Sequence, residues 1–257
     1  MFEDLKPHIQ DLRKRLIIST LTLFVIFFIC FSFWEYIFEW IKLPLAQALK
    51  NGVKGELVQL SPTEGVFTAM KVSFFAALTL SMPVIFWQLW LFVAPGLYKH
   101  EQKIILPFVL FATLMFAIGA SFAYFVVFPF VIKYILMFGN ELFNASISVE
   151  NYVTFFTRLI LGFGIAFELP VLSFFLAKVG LITDETLKGF FKYAIVIIFI
   201  IAAIITPPDV LSQFFMAIPL IGLYGLSILI AKAINPAPKE AEEFQEQAEE
   251  EQKGKNA

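Results

Sequence analysis

The sequence predicts an all-α membrane protein with six transmembrane helices, both termini in the cytoplasm, and short fifth and sixth spans. Hydrophobic residues fill 59 % of its 257 positions, and 33 positions are Phe. Mean hydropathy is +0.81, a composition that calls for a bilayer as solvent rather than a single core surrounded by water. The apolar residues gather in six stretches, at about 16–38, 66–93, 104–130, 153–178, 192–206 and 210–231. Each is longer than a barrel strand and none alternates strictly, so helices are the elements that satisfy the backbone in lipid. Lysine and arginine alternate across the breaks. Lys6, Arg13, Lys14 and Arg15, then Lys99 and Lys103, then Lys178, Lys188 and Lys192 mark one side as cytoplasmic. Lys42, Lys50 and Lys54 face Glu35, Glu39, Glu56 and Glu64 on the other side, where Lys133 stands alone.

Span one follows Arg13-Lys14-Arg15. Its apolar run, Leu16–Trp34, is too long for a signal h-region and no small-residue cleavage site follows, so it reads as a retained span. Phe33–Leu49 carries Trp34, Tyr36 and Trp40 at interfacial depth and predicts a short helix across the external mouth of the bundle. Ser61-Pro62-Thr63-Glu64 is a start signal for span two, with Ser as cap, Pro in the first turn and Glu64 reaching back. Thr183-Asp184-Glu185 starts span five, placing two acids at the positive end of the helix dipole. The uninterrupted apolar run there, Tyr193–Ile205, is 13 residues, about 20 Å of helix against a hydrocarbon core of about 30 Å. Span six is interrupted by Ser212, Gln213, Pro219, Gly222 and Gly225, and a Pro207-Pro208 turn joins the two. Such a hairpin is expected to thin the bilayer or draw water towards its end. Residues 1–232 form the transmembrane domain on this reading. Residues 233–257 form an acidic, disordered cytoplasmic tail, with seven Glu and three Lys over 239–255 and almost nothing to bury.

The single cysteine, Cys30, excludes an intrachain disulfide, and His8 with His100 does not make a metal site. There is no phosphate-binding loop, no dinucleotide turn, no HExxH and no Ser/His/Asp set, so an enzyme is not expected, and neither is a cofactor or a nucleic acid. Glu168 is the exception to the apolar rule, a lone acid in Leu159–Ala177. A carboxylate at mid-bilayer depth costs about 2.5–3.5 kcal/mol on insertion scales, so it marks either hydrogen-bonded glue between helices or a functional site. Gln88 and Gln213 lie in the bilayer on this reading, and Thr206 and Asp209 at its external edge. An alternative class is a proton-coupled secondary transporter with Glu168 as the proton carrier. It calls for more intramembrane polar groups and for paired halves, which the sequence lacks.

Five collinear blocks resemble the TatC family, the multispanning subunit of the twin-arginine, Sec-independent protein translocase. They are His8–Leu16 (HIQDLRKRL), Phe92–Glu101 (FVAPGLYKHE), Phe122–Pro129 (FAYFVVFP), Phe163–Pro170 (FGIAFELP) and Thr206–Gln213 (TPPDVLSQ). The resemblance implies a receptor in the cytoplasmic (inner) membrane. It binds signal peptides bearing two adjacent arginines and recruits single-span TatA and TatB subunits. Folded cargo then crosses on the proton-motive force, and the receptor complex is homo-oligomeric. It further implies Glu101 and Asp11 as the recognition acids, with Phe92, Leu97, Arg13 and Arg15 completing the signal-binding set; the family often has glutamate where this chain has Asp11. Glu168, Thr206, Gln213 and Asp209 then serve partner docking. A guanidinium pairs bidentately with a carboxylate where an ammonium offers only a point charge, so fixed acids can tell Arg-Arg from Lys-Lys by geometry.

Overall fold

The computed structural model describes residues 2–50, 55–93, 105–138, 145–206 and 209–235, with side chains described from residue 9. Six helices are long and apolar enough to cross a membrane: Ile9–Ser32, Glu64–Phe92, Leu106–Met137, Val149–Lys178, Asp184–Ile205 and Val210–Ile234. The first is most of α1 (Phe2–Ser32), the second α3 (Glu64–Val93). The third is α4 (Ile105–Phe122), a π segment Ala123–Val127 and α5 (Phe128–Met137); the fourth is α6 (Val149–Ala166) followed by α7 (Glu168–Lys178). The fifth and sixth are α8 (Asp184–Ile205) and α9 (Val210–Ile234).

Several boundaries differ from those read in the sequence; the third span, for example, runs on past residue 130 to Met137. The first apolar stretch does not continue to residue 38: α1 ends at Ser32, the chain turns at Phe33, and α2 (Trp34–Lys50) begins. Hydropathy runs through the bend because both helices are aromatic there. The shortness expected of span five belongs to its apolar part. Helix α8 has 22 residues, about 33 Å, and its first three turns carry Asp184, Glu185, Lys188 and Lys192. Helix α9 has 25 residues.

Crossing the bilayer six times puts the start of α1, the ends of α3, α7 and α9 and the start of α8 at one rim. The opposite face then carries α2 and the starts of α3, α6 and α9. Side-chain bonds follow this division: Arg15 reaches Gln88 at the first rim, and Asn235 Nδ2 donates to Ile182 O at 2.9 Å. On the opposite face β1 (Gly55–Val58) pairs in parallel with β2 (Ala145–Ser148), Gly55 opposite Ala145 and Val58 opposite Ser148. Nothing local in either strand announces this pairing.

Glu64 is the hub of that face. Its Oε2 accepts from the amides of Leu60 (2.5 Å) and Ser61 (3.2 Å), and its Oε1 from Ser148 Oγ (2.5 Å) and the Glu150 amide (2.8 Å). The reach-back half of the expected cap is therefore present. The Ser61 hydroxyl instead pairs with that of Thr63, and α3 starts at Glu64. Four donors on one buried carboxylate tie the start of α3 to the start of α6. At α8 the expected start is present, with Thr183 as cap and Asp184 and Glu185 in the first turn, and Thr186, outside that signal, returns the cap to Thr183.

The expected interfacial helix is α2, 17 residues with Ile41, Leu45 and Ala48 buried and Tyr36 and Leu43 exposed. Pro44 has no amide proton, so the carbonyl of Trp40 loses its helical donor. The Tyr124 hydroxyl replaces it at 3.0 Å, and the Tyr124 ring stacks on Trp40 with centroids 4.1 Å apart. The Tyr152 hydroxyl adds a bond to the next carbonyl, Ile41 O, at 2.7 Å. Tyr124 sits in the π segment directly ahead of Pro129, the kind of wide turn that shifts helical register at a functional or strained position.

The core lies beneath α2, where Phe128, Phe156, Leu159, Phe163 and Met216 are fully enclosed. A Cβ on Gly119 would meet Phe163 O at 2.7 Å, and one on Gly164 would meet the Phe116 ring at 2.6 Å. The α4–α6 crossing thus depends on small residues, as close helix contacts in lipid do.

Candidate recognition and docking sites

At the N-terminal rim the Asp11 carboxylate already holds a guanidinium. Arg15 Nε lies 3.0 Å from Asp11 Oδ2, one helical turn along α1, and its Nη1 donates to Gln88 Oε1 at 3.4 Å. The side chains of Arg15 and Asp11 are 20 % and 31 % exposed, so the pair is open to water or headgroups. Gln88, read in the sequence as a polar group within the bilayer, is the α3 end of this bridge. Arg13 is exposed and makes no polar contact among the described residues, while Phe92 is half-buried near the end of α3. Trp90 locks the end of α3 to the start of α4 and to α7, its ring 4.0 Å from Phe108 and 4.3 Å from Phe175. These contacts fix the helix ends on either side of residues 94–104. Glu101 and Leu97 themselves lie outside the described residues.

The second set sits deeper. Glu168 opens α7 after a one-residue break at Phe167, and Pro170 follows two residues on. It stands ten residues before Lys178, about 15 Å from that end and so near the bilayer centre. It is buried, and its Oε1 has no hydrogen-bond partner among the described residues. The other three members of the set are locally satisfied. Thr206 donates to Ala202 O at 2.9 Å, Gln213 Nε2 to Phe199 O at 2.9 Å, and Asp209 caps α9 by accepting from the Ser212 amide at 2.8 Å and from its hydroxyl. Gln213 thereby staples α9 to α8. No hydrogen bond joins any of the three to Glu168. Thr206, Asp209 and Gln213 hold the hairpin, and of these four Glu168 has a buried carboxylate oxygen without a partner among the described residues.

Sequence reasoning missed a third group. Lys71 Nζ lies 2.5 Å from Glu150 Oε1 and 3.0 Å from Thr154 Oγ1, and Arg158 is exposed on α6 nearby. Both cations fall inside hydropathic spans, where window averages dilute a single charge. The signal that finds them is a basic residue inside a span, the same test that singled out Glu168.

The fold and these sites define a class: a multi-pass helical membrane protein whose polar groups sit at a rim or alone at mid-depth. Among the described residues no cluster of three potential metal ligands occurs. The family model of the Sec-independent protein translocase protein (TatC) matches residues 7–219. Sec-independent protein translocase protein TatC of Helicobacter pylori is 66% identical over 242 residues, 94% of this chain and 92% of its own. Its counterpart in Campylobacter jejuni is 54% identical over 243 residues, 94% of this chain and 99% of its own. A crystal structure of the twin-arginine translocase receptor TatC superposes with a TM-score of 0.81 at 43% identity, covering 88% of this chain and 99% of that one. This chain belongs to the TatC family. It is a multi-pass membrane component of a Sec-independent protein translocase and not an enzyme.

Proposed function

We propose that the chain is the signal-peptide receptor and core subunit of a twin-arginine translocase in the cytoplasmic (inner) membrane, with both termini cytoplasmic. The observation that carries this is the Asp11–Arg15 pair, a rim carboxylate shaped to hold a guanidinium. A half-buried pair one helical turn apart stabilises the fold by only about 0.3–0.5 kcal/mol. An incoming arginine therefore displaces Arg15 at little cost and takes Asp11 in its place. Glu101 supplies the second acid and takes the neighbouring arginine, with Phe92 and Leu97 meeting the apolar residues that follow. Arg13 and the displaced Arg15 stand beside this site. Glu168 docks a polar side chain of a single-span partner of the TatA or TatB type, and folded cargo then crosses on the proton-motive force.

The test is the affinity of a twin-arginine signal peptide, and of its Lys-Lys version, for the intact chain in nanodiscs. Asp11→Asn and Glu101→Ala are each expected to weaken the Arg-Arg peptide and to erase its advantage over Lys-Lys. Equal binding of the two peptides by the unmodified chain would refute the proposal. Glu168, unpaired at mid-depth, also suits a proton-coupled carrier. That reading requires the purified chain to move a solute across liposomes unaided, whereas the receptor moves nothing alone.

A further inference from the structure

Arg158 stands nine residues past Val149, where α6 begins, about 13 Å into the span. It is exposed on the helix surface with no hydrogen bond or ion pair among the described residues. An arginine at such depth is costly unless an anion or the headgroup region receives it. Lys71 stands seven residues past the start of α3, about 10 Å in, and pairs with one acid, Glu150. The cluster carries one excess positive charge. Two cavities meet here and share Lys71 and Phe74. One, of about 270 Å³, sets Thr154, Thr157 and Arg158 among apolar walls that include Phe75 and Leu161. The other, of about 480 Å³, is an apolar groove between α1 and α3, walled by Thr20, Phe24, Phe27 and Phe67.

We propose that this double cavity binds one anionic phospholipid of the leaflet on the α2 side, with its phosphate on Arg158 and Lys71 and an acyl chain in the α1–α3 groove. Depth favours a lipid over a partner helix. From Phe67 to Phe74 the groove runs seven residues of α3, about 10 Å, from below the interface towards the midplane of a core about 30 Å thick. That is the reach of one leaflet's chain. A transmembrane partner needs a groove as long as the bilayer. The lysine and arginine stems also let both cations reach towards the headgroup phosphates while their methylenes cover the groove wall.

The intact chain, reconstituted with equal phosphatidylglycerol and phosphatidylcholine and released into native mass spectrometry, reports retained lipid directly. Phosphatidylglycerol should be retained preferentially, and Arg158→Gln should lower its retention about fivefold, the effect of one basic group on an anionic lipid. Arg158→Lys should keep the preference. Thr20→Trp fills the groove without touching the charges and should also lower phosphatidylglycerol retention, which covers the case that Arg158→Gln fails to fold. The proposal is overturned by equal retention of the two lipids, by undiminished phosphatidylglycerol retention in both Arg158→Gln and Thr20→Trp, or by a peptide in place of the lipid.

Discussion

Arg15 has two roles that pull apart in a variant. It fills the Asp11 carboxylate and it bridges α1 to Gln88 of α3. Removing it by Arg15→Leu frees the carboxylate, so affinity for a twin-arginine peptide should rise about twofold, the value of a pair worth about 0.3–0.5 kcal/mol. A fall in affinity in the same binding assay would show that Arg15 assists recognition rather than occupying the site. Glu168 is separable in the same way. Its Oε1 is buried and unpaired, so Glu168→Ala removes an unsatisfied group and should not lower thermal stability in detergent. On the proposed docking role, co-purification with a single-span partner should drop. Lost stability with intact co-purification would instead identify Glu168 as internal glue between helices.

At the scale of elements, what the sequence made legible was local. The α8 start is written in Thr183-Asp184-Glu185, and α2 in the aromatic and apolar pattern of Phe33–Leu49, so both were readable. The β1–β2 pair and the Glu64 hub join residues more than eighty positions apart, Ser148 and Glu150 to Glu64, and no window of sequence contains both partners. Glu168 was legible as a lone acid, but the local bonds of Thr206, Gln213 and Asp209 were not, because hydropathy says nothing of which carbonyl a side chain finds. The Pro44–Tyr124 contact gives this scale its own prediction. Tyr124→Phe should destabilise the protein by about 0.6 kcal/mol, typical of a hydrogen bond in a membrane bundle. In a Pro44→Ala background the restored backbone amide serves the Trp40 carbonyl, and the same change should cost less. A double-mutant cycle on thermal unfolding measures the difference, and strict additivity would show that the hydroxyl does not stand in for the missing amide.

For the whole molecule, the α8–α9 hairpin sets the question of thickness. The charge-free part of α8 begins only at Tyr193, which leaves about 20 Å to match about 30 Å of hydrocarbon. About seven leucines inserted after Ile197 would extend it across the core. Export of a folded twin-arginine cargo in cells should then fall, while full export would dismiss membrane thinning as part of the mechanism. Burial is just as uneven at the other end of the chain. In an 18-residue apolar stretch of the first span only 6% is buried, against 44% in those of the second and third, and α1 leans chiefly on α3. During biosynthesis α1 leaves the ribosome before that neighbour exists. Its lipid-facing surface lets it wait in the bilayer without a protein companion, so insertion can proceed span by span and the rim that carries Asp11 becomes complete only when α3 arrives.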